Sequence, residues 1–95
     1  MERQVRGLIL KFLDKVYPST LTVDFILALL YDWNIVIDRR SLMKNVVFLI
    51  NKGYIEAEDV ELPSHIDKVK KLRITPKGKA LMSKELLDPD IDTGV

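Results

Sequence analysis

Cysteine is absent from the 95 residues, which removes disulfides, thiolate nucleophiles and Cys-ligated zinc together. Histidine occurs once, as His65, with no local metal-ligand spacing, so it reads as a solvated loop residue. The four glycines, Gly7, Gly53, Gly78 and Gly94, are scattered, and none belongs to a phosphate-cradling loop. Long apolar runs are missing too. The longest, Phe25 to Ile37, is interrupted by Asp32 and falls short of the roughly 20 residues that span a bilayer. Met1-Glu2-Arg3-Gln4-Val5-Arg6 lacks the unbroken apolar stretch and cleavage site of a signal peptide. These absences lead us to expect a cytoplasmic protein with no membrane partner. Asp88, Asp90 and Asp92 imitate the start of a calcium loop, but Thr93 stands where glycine is needed and no closing glutamate follows. No nucleophile, base and orienting group can be assembled, so a protein that is not an enzyme, with no cofactor and no metal, is expected.

What is present describes one folded unit. A chain of 95 residues can build a single core but not two. Its 47% apolar and 31% charged residues have the balance of a globular domain. The net charge of +1 conceals a strong pattern. Segments 1–37, 38–52, 53–65, 66–79 and 80–95 carry 0, +3, −4, +5 and −3, giving two separate basic zones.

Val5, Leu8, Ile9, Phe12, Leu13 and Val16 recur at steps of three and four, which predicts a helix that Pro18 stops near Val16. After a short connection through Ser19, Thr20 and Leu21, a second helix is expected with Thr22 or Asp24 as cap, running to about Trp33. Phe25 to Leu30 is apolar on every face, which fits a helix that is central or partly covered by another chain. Asp38 is placed to cap a third helix over 39–52, with Gly53 as its left-handed terminator. Leu42, Val46, Leu49 and Ile50 make its inner face, Met43 and Val47 its margin, and Arg40, Lys44, Phe48 and Asn51 an opposite, exposed row. Beyond Gly53 the pattern becomes extended. Tyr54 to Leu62 and Val69 to Ile74 read as two strands of a hairpin turning at Pro63-Ser64-His65. Thr75-Pro76 starts a last helix whose apolar side is Ala80, Leu81, Met82, Leu86 and Leu87. Residues 1–87 form the domain, and the acidic tail 88–95, with Pro89 and Gly94, is expected to be flexible.

Three helices, a hairpin and a closing helix, with Arg39 to Ile55 and Leu72-Arg73-Ile74-Thr75-Pro76-Lys77-Gly78-Lys79-Ala80-Leu81 as the matching stretches, resemble the winged helix-turn-helix superfamily. The resemblance is to bacterial and phage regulators of the multiple-antibiotic-resistance and phenolic-acid-response kinds, and covers most of residues 1–87. It implies an α+β, mainly α fold with a three-helix core, a β-hairpin wing and a C-terminal helix. It also implies a transcriptional regulator that binds double-stranded DNA. The surplus apolar surface of the second helix and the amphipathic first and last helices make a homodimer the expectation. Helix 39–52 would then enter the major groove and hairpin 54–74 serve as the wing.

On that resemblance Arg39, Arg40, Ser41, Lys44 and Asn51 face DNA from the third helix. Lys68, Lys70, Lys71, Arg73 and Lys77, with Lys79 beside them, admit two readings. They neutralise phosphates from the wing, or Lys70, Lys71 and Arg73 only pair across the hairpin with Glu56, Glu58, Asp59 or Glu61. Phe48, in the exposed row, carries the alternative that the module docks on a protein and binds no DNA.

Overall fold

The computed structural model describes the backbone of residues 1–61 and 68–95 and the side chains of 1–58 and 71–95. Among them are four helices and one three-stranded antiparallel sheet, an α+β fold that is mainly helical. The chain runs through α1 (Glu2–Val16), β1 (Leu21–Thr22), α2 (Val23–Asp32), α3 (Arg39–Asn51), β2 (Ile55–Glu61), β3 (Lys68–Ile74) and α4 (Pro76–Met82). The expected turn at Pro63-Ser64-His65 lies outside the described residues.

Three of the helices begin where a side chain can accept an orphan amide. Thr22 accepts from Phe25 N–H, Asp38 from Ser41 N–H and Thr75 from Gly78 N–H, and Pro76 occupies the first position of α4. The ends of these helices share a second device. After α3, Gly53 takes φ +81°, its N–H donates to Ile50 C=O, and Tyr54 N–H donates to Leu49 C=O. This pair of bonds closes the last turn by the Schellman pattern. Asn34 at φ 61° ends α2 in the same way, with Ile35 N–H donating to Leu30 C=O. Lys84 at φ 66° ends α4, with Glu85 N–H donating to Ala80 C=O. The last helix is therefore shorter than expected: Leu86 and Leu87 lie beyond it, and Leu87 is exposed.

The connection expected at Leu21 is a two-residue strand. Leu21 and Thr22 pair with Leu72 and Lys71, which gives the sheet the order β1-β3-β2. Ile55 opposite Ile74 and Ala57 opposite Leu72 place Ile55, Ile74 and Leu72 in the core.

The central helix is α1, not α2. Leu8, Ile9 and Leu10 are consecutive and all fully buried, because the other elements surround α1 on more than one face. By contrast α2 buries Val23, Ile26 and Leu30 and leaves Phe25, Ala28 and Tyr31 outside the core. Its apolar sequence thus ends partly in solvent.

The tail 88–95 is not loose. Ile91 is 3% exposed and joins the core. Asp92 N–H donates to Arg3 C=O at 3.0 Å, Arg3 Nε donates to Pro89 C=O at 2.7 Å, and Lys11 Nζ donates to the Val95 main-chain oxygen at 3.1 Å. Burying Ile91 contributes about 2 kcal/mol, while ordering a residue costs about 1 kcal/mol or more. The apolar anchor therefore acts together with the cationic side chains of α1, which meet the tail carbonyls. Gly7 makes the approach possible, since a Cβ there would overlap the Asp92 carbonyl oxygen. Acidic composition alone predicts a mobile segment, and the seating of Ile91 is what composition does not carry.

Candidate nucleic-acid interface

The surface of α3 is set by what holds its other sides. Leu42, Val46 and Leu49 are fully buried, and with them Asn45, the one buried polar residue among those described. Asn45 Oδ1 accepts from Arg6 Nε at 3.0 Å, and Asn45 Nδ2 donates to Ser41 C=O at 3.1 Å, so its polar atoms are satisfied. The N-terminal end is fixed by Asp38. The amide and then the hydroxyl of Ser41 hydrogen-bond its carboxylate and hold its pKa below the ordinary value. At the other end Lys52 Nζ approaches Asp88 at 3.3 Å and Asp90 at 3.6 Å.

The face left outward carries Arg40, Lys44, Val47 and Asn51, with Met43 half-buried beside them. No acidic residue lies anywhere in α3. Among the described residues Arg40 and Lys44 have no ion-pair partner. Arg40, Met43, Lys44 and Val47 line an open groove of about 390 Å³. This brings three of the five expected α3 residues, Arg40, Lys44 and Asn51, onto one surface, while Ser41, about 100° round the helix from Arg40, lines a separate cleft with Met1, Glu2 and Val5. Arg39, the fifth, is ion-paired with Asp24 in the first turn of α2 and ties the starts of the two helices together.

Phe48 does not stand in that row. It is half-buried, with the Arg6 guanidinium carbon 3.7 Å from the ring centroid and Lys52 Nζ at 5.4 Å on the same ring. Advanced by about 100° per residue, Val47 comes within about 20° of Arg40, whereas Phe48 lies about 80° away. Val47 takes the exposed place and Phe48 turns toward α1. The sequence places Met43 and Val47 only at the margin of the inner face, although the helical angle between Val47 and Arg40 held the signal for an outward place. Arg6 and Asn45 were missed because their partners are remote in sequence.

In the hairpin, register decides the chemistry. Glu56 stands opposite Arg73, Glu58 opposite Lys71, Asp59 opposite Lys70 and Glu61 opposite Lys68. Every basic residue of β3 thus faces an acidic residue of β2, the arrangement that cross-strand pairing favours. Arg73 Nη1 donates to Glu56 Oε1 at 3.0 Å, and its Nε donates to Pro18 C=O at 2.9 Å. The side chains of Lys68 and Lys70 lie outside the described residues. Lys77 Nζ donates to Lys52 C=O at 2.8 Å and sits 5.1 Å from the Tyr54 ring centroid. Lys79 is ion-paired with Asp14 at 2.7 Å. Arg73, Lys77 and Lys79 are thus engaged within the fold, and the structure does not gather them with Arg40 and Lys44.

Among the described residues no group of three His, Asp or Glu side chains stands together as metal ligands, and no helix is long and apolar enough to cross a membrane. No family model and no curated protein matches the chain.

Proposed function

We propose that the chain is a winged helix-turn-helix domain that binds double-stranded DNA and regulates transcription, without catalysis. Three helices, then a hairpin and a closing helix, the order on which the resemblance rests, support this reading. The observation that carries the reading is the outward face of α3. It presents Arg40, Lys44 and Asn51 with no carboxylate among them, on a helix capped at its start and backed by the core. A helix of this kind fits the major groove, where arginine reads guanine and lysine neutralises phosphate. The wing has a smaller part. Lys68, Lys70 and Lys71 each stand opposite an acidic residue, so their attraction for phosphate is partly cancelled.

The protein-docking alternative rests on Phe48 with its neighbouring apolar residues and on the acidic strand; Arg6 covers Phe48 and the acids of β2 stand opposite basic residues of β3, and for that reason DNA is favoured. The proposal includes a homodimer, whose motive is the exposed Phe25 and Tyr31 of α2. Equilibrium sedimentation tests it: a concentration-dependent dimer is expected, and a monomer at high micromolar concentration removes the symmetric-operator form of the idea.

Fluorescence anisotropy with random-sequence duplex across a salt series tests DNA binding itself. Affinity is expected to fall steeply with salt. Lys44→Ala should reduce the log–log slope by about 1, since each phosphate that a cation neutralises adds roughly 0.9 to it, while Arg40→Ala, which loses a base contact, should weaken binding with little change of slope. No binding even at low salt would sink the reading.

A further inference from the structure

We infer that the α3 face reads a thymine through its C5-methyl group, received between Met43 and Val47, with guanine read by Arg40 nearby in the same half-site. This rests on the DNA-binding reading above and adds a sequence preference to it.

A solvated helix face has no use for exposed apolar groups. Yet Val47 is 47% exposed and stands on the outward face beside Arg40, with Met43 one turn before it. The two side chains are walls of the open groove whose remaining walls are Arg40 and Lys44. Two cations without a carboxylate in the groove they line select a polyanion, and an apolar wall beside them selects a polyanion that offers an apolar edge. In the major groove of B-DNA the thymine methyl is that edge, the one methyl group that the four bases present among hydrogen-bond donors and acceptors. Arg40 precedes Val47 by seven residues, roughly 10 Å along the helix axis. At roughly 3.4 Å per step, its guanine falls within about three base pairs of the thymine. Phe48, the other apolar candidate on α3, is covered by Arg6 and does not compete for this role.

The experiment starts by selecting binding sites from a random duplex library with the full chain, then replaces each thymine of the best site by deoxyuridine, one at a time. Loss of one methyl should weaken binding about fourfold at one position per half-site, as expected for a single buried methyl group. Val47→Ser should erase that thymine–uracil difference while keeping the salt slope of the natural chain. The isosteric Val47→Thr repeats the measurement should Val47→Ser lose helicity by circular dichroism. Sites that bind with steep salt dependence but tolerate uracil at every position would overturn this inference and leave the DNA reading standing. So would a fourfold effect that persists in both Val47 variants. Failure to bind any duplex at low salt overturns both.

Discussion

A methyl group on Gly7 would meet the carbonyl oxygen of Asp92, and that single clash links the middle of α1 to the end of the chain. Alanine is the better helix former by about 1 kcal/mol, but overpacking costs about 1–3 kcal/mol. Gly7→Ala should therefore destabilise the fold by about 1 kcal/mol in urea denaturation. Amide exchange in 88–95 should quicken with it, and unchanged exchange there would mean the segment is not seated on α1. Arg6 is a second residue that ties distant segments together. It stacks on Phe48, donates to Asn45 and to Asp90 C=O, and approaches Glu2 at 3.6 Å. One guanidinium thus joins α1, α3 and the tail through its planar donors and its flat face.

Between elements, the β2–β3 register converts two oppositely charged strands into a nearly neutral hairpin. Lys71 is half-buried and stands opposite the exposed Glu58. Removing the acid leaves the cation available to phosphate, so Glu58→Gln should strengthen duplex binding and steepen its salt slope by up to about 1. Weaker or unchanged binding would mean that the hairpin stays clear of DNA. The helix that does the proposed reading is held by side-chain and backbone caps at its two ends, by Asn45 and Arg6 along one side, and by the Arg39–Asp24 pair against α2. Its outward residues are thereby carried on a fixed scaffold, which keeps the entropy lost on binding small.

For the whole molecule, stability should depend on pH through the cluster that joins Tyr54, Lys52 and the tail. Burial first, and then the hydrogen bond to Asp88, push the Tyr54 phenol up to about 12. Tyr54 OH donates to Asp88 Oδ2 at 2.7 Å. Since the unfolded phenol titrates near 10, the fold favours the neutral form. That contribution is complete below about pH 10 and is lost as pH rises toward about 12. Tyr54→Phe should flatten the stability curve across this window, measured by denaturant unfolding from about pH 9 to about pH 12 in steps of roughly half a unit. An equally steep decline in the variant would place the loss elsewhere. Asp88 works at the acid end. Burial raises its pKa, but hydrogen bonds from Tyr54, Asp90 N–H and Lys52 outweigh burial and leave it lowered. Its contribution is present above the ordinary carboxylate pKa and fades as pH falls through the depressed value.

The local features of this protein are legible without a structure, because their partners lie within one helical turn. Thr22 is one of two caps that the sequence offers for α2, while Asp38, Thr75-Pro76 and Gly53 each stand at the helix end that their chemistry suits. The three-and-four spacing of α1, and the switch to an extended pattern after Gly53, likewise suffice for a mainly helical α+β fold with a hairpin. What tertiary structure alone decided depends on residues far apart in sequence. Arg6, 42 positions before Phe48, covers that ring and leaves Val47 outward. Ile91 and Gly7 together convert an acidic tail into a packed strap, although neither signals this alone. Which cations remain uncommitted follows from strand register and from pairs such as Arg39–Asp24 and Lys79–Asp14. Composition counts charges, but only the placement of the elements decides which of them are already neutralised.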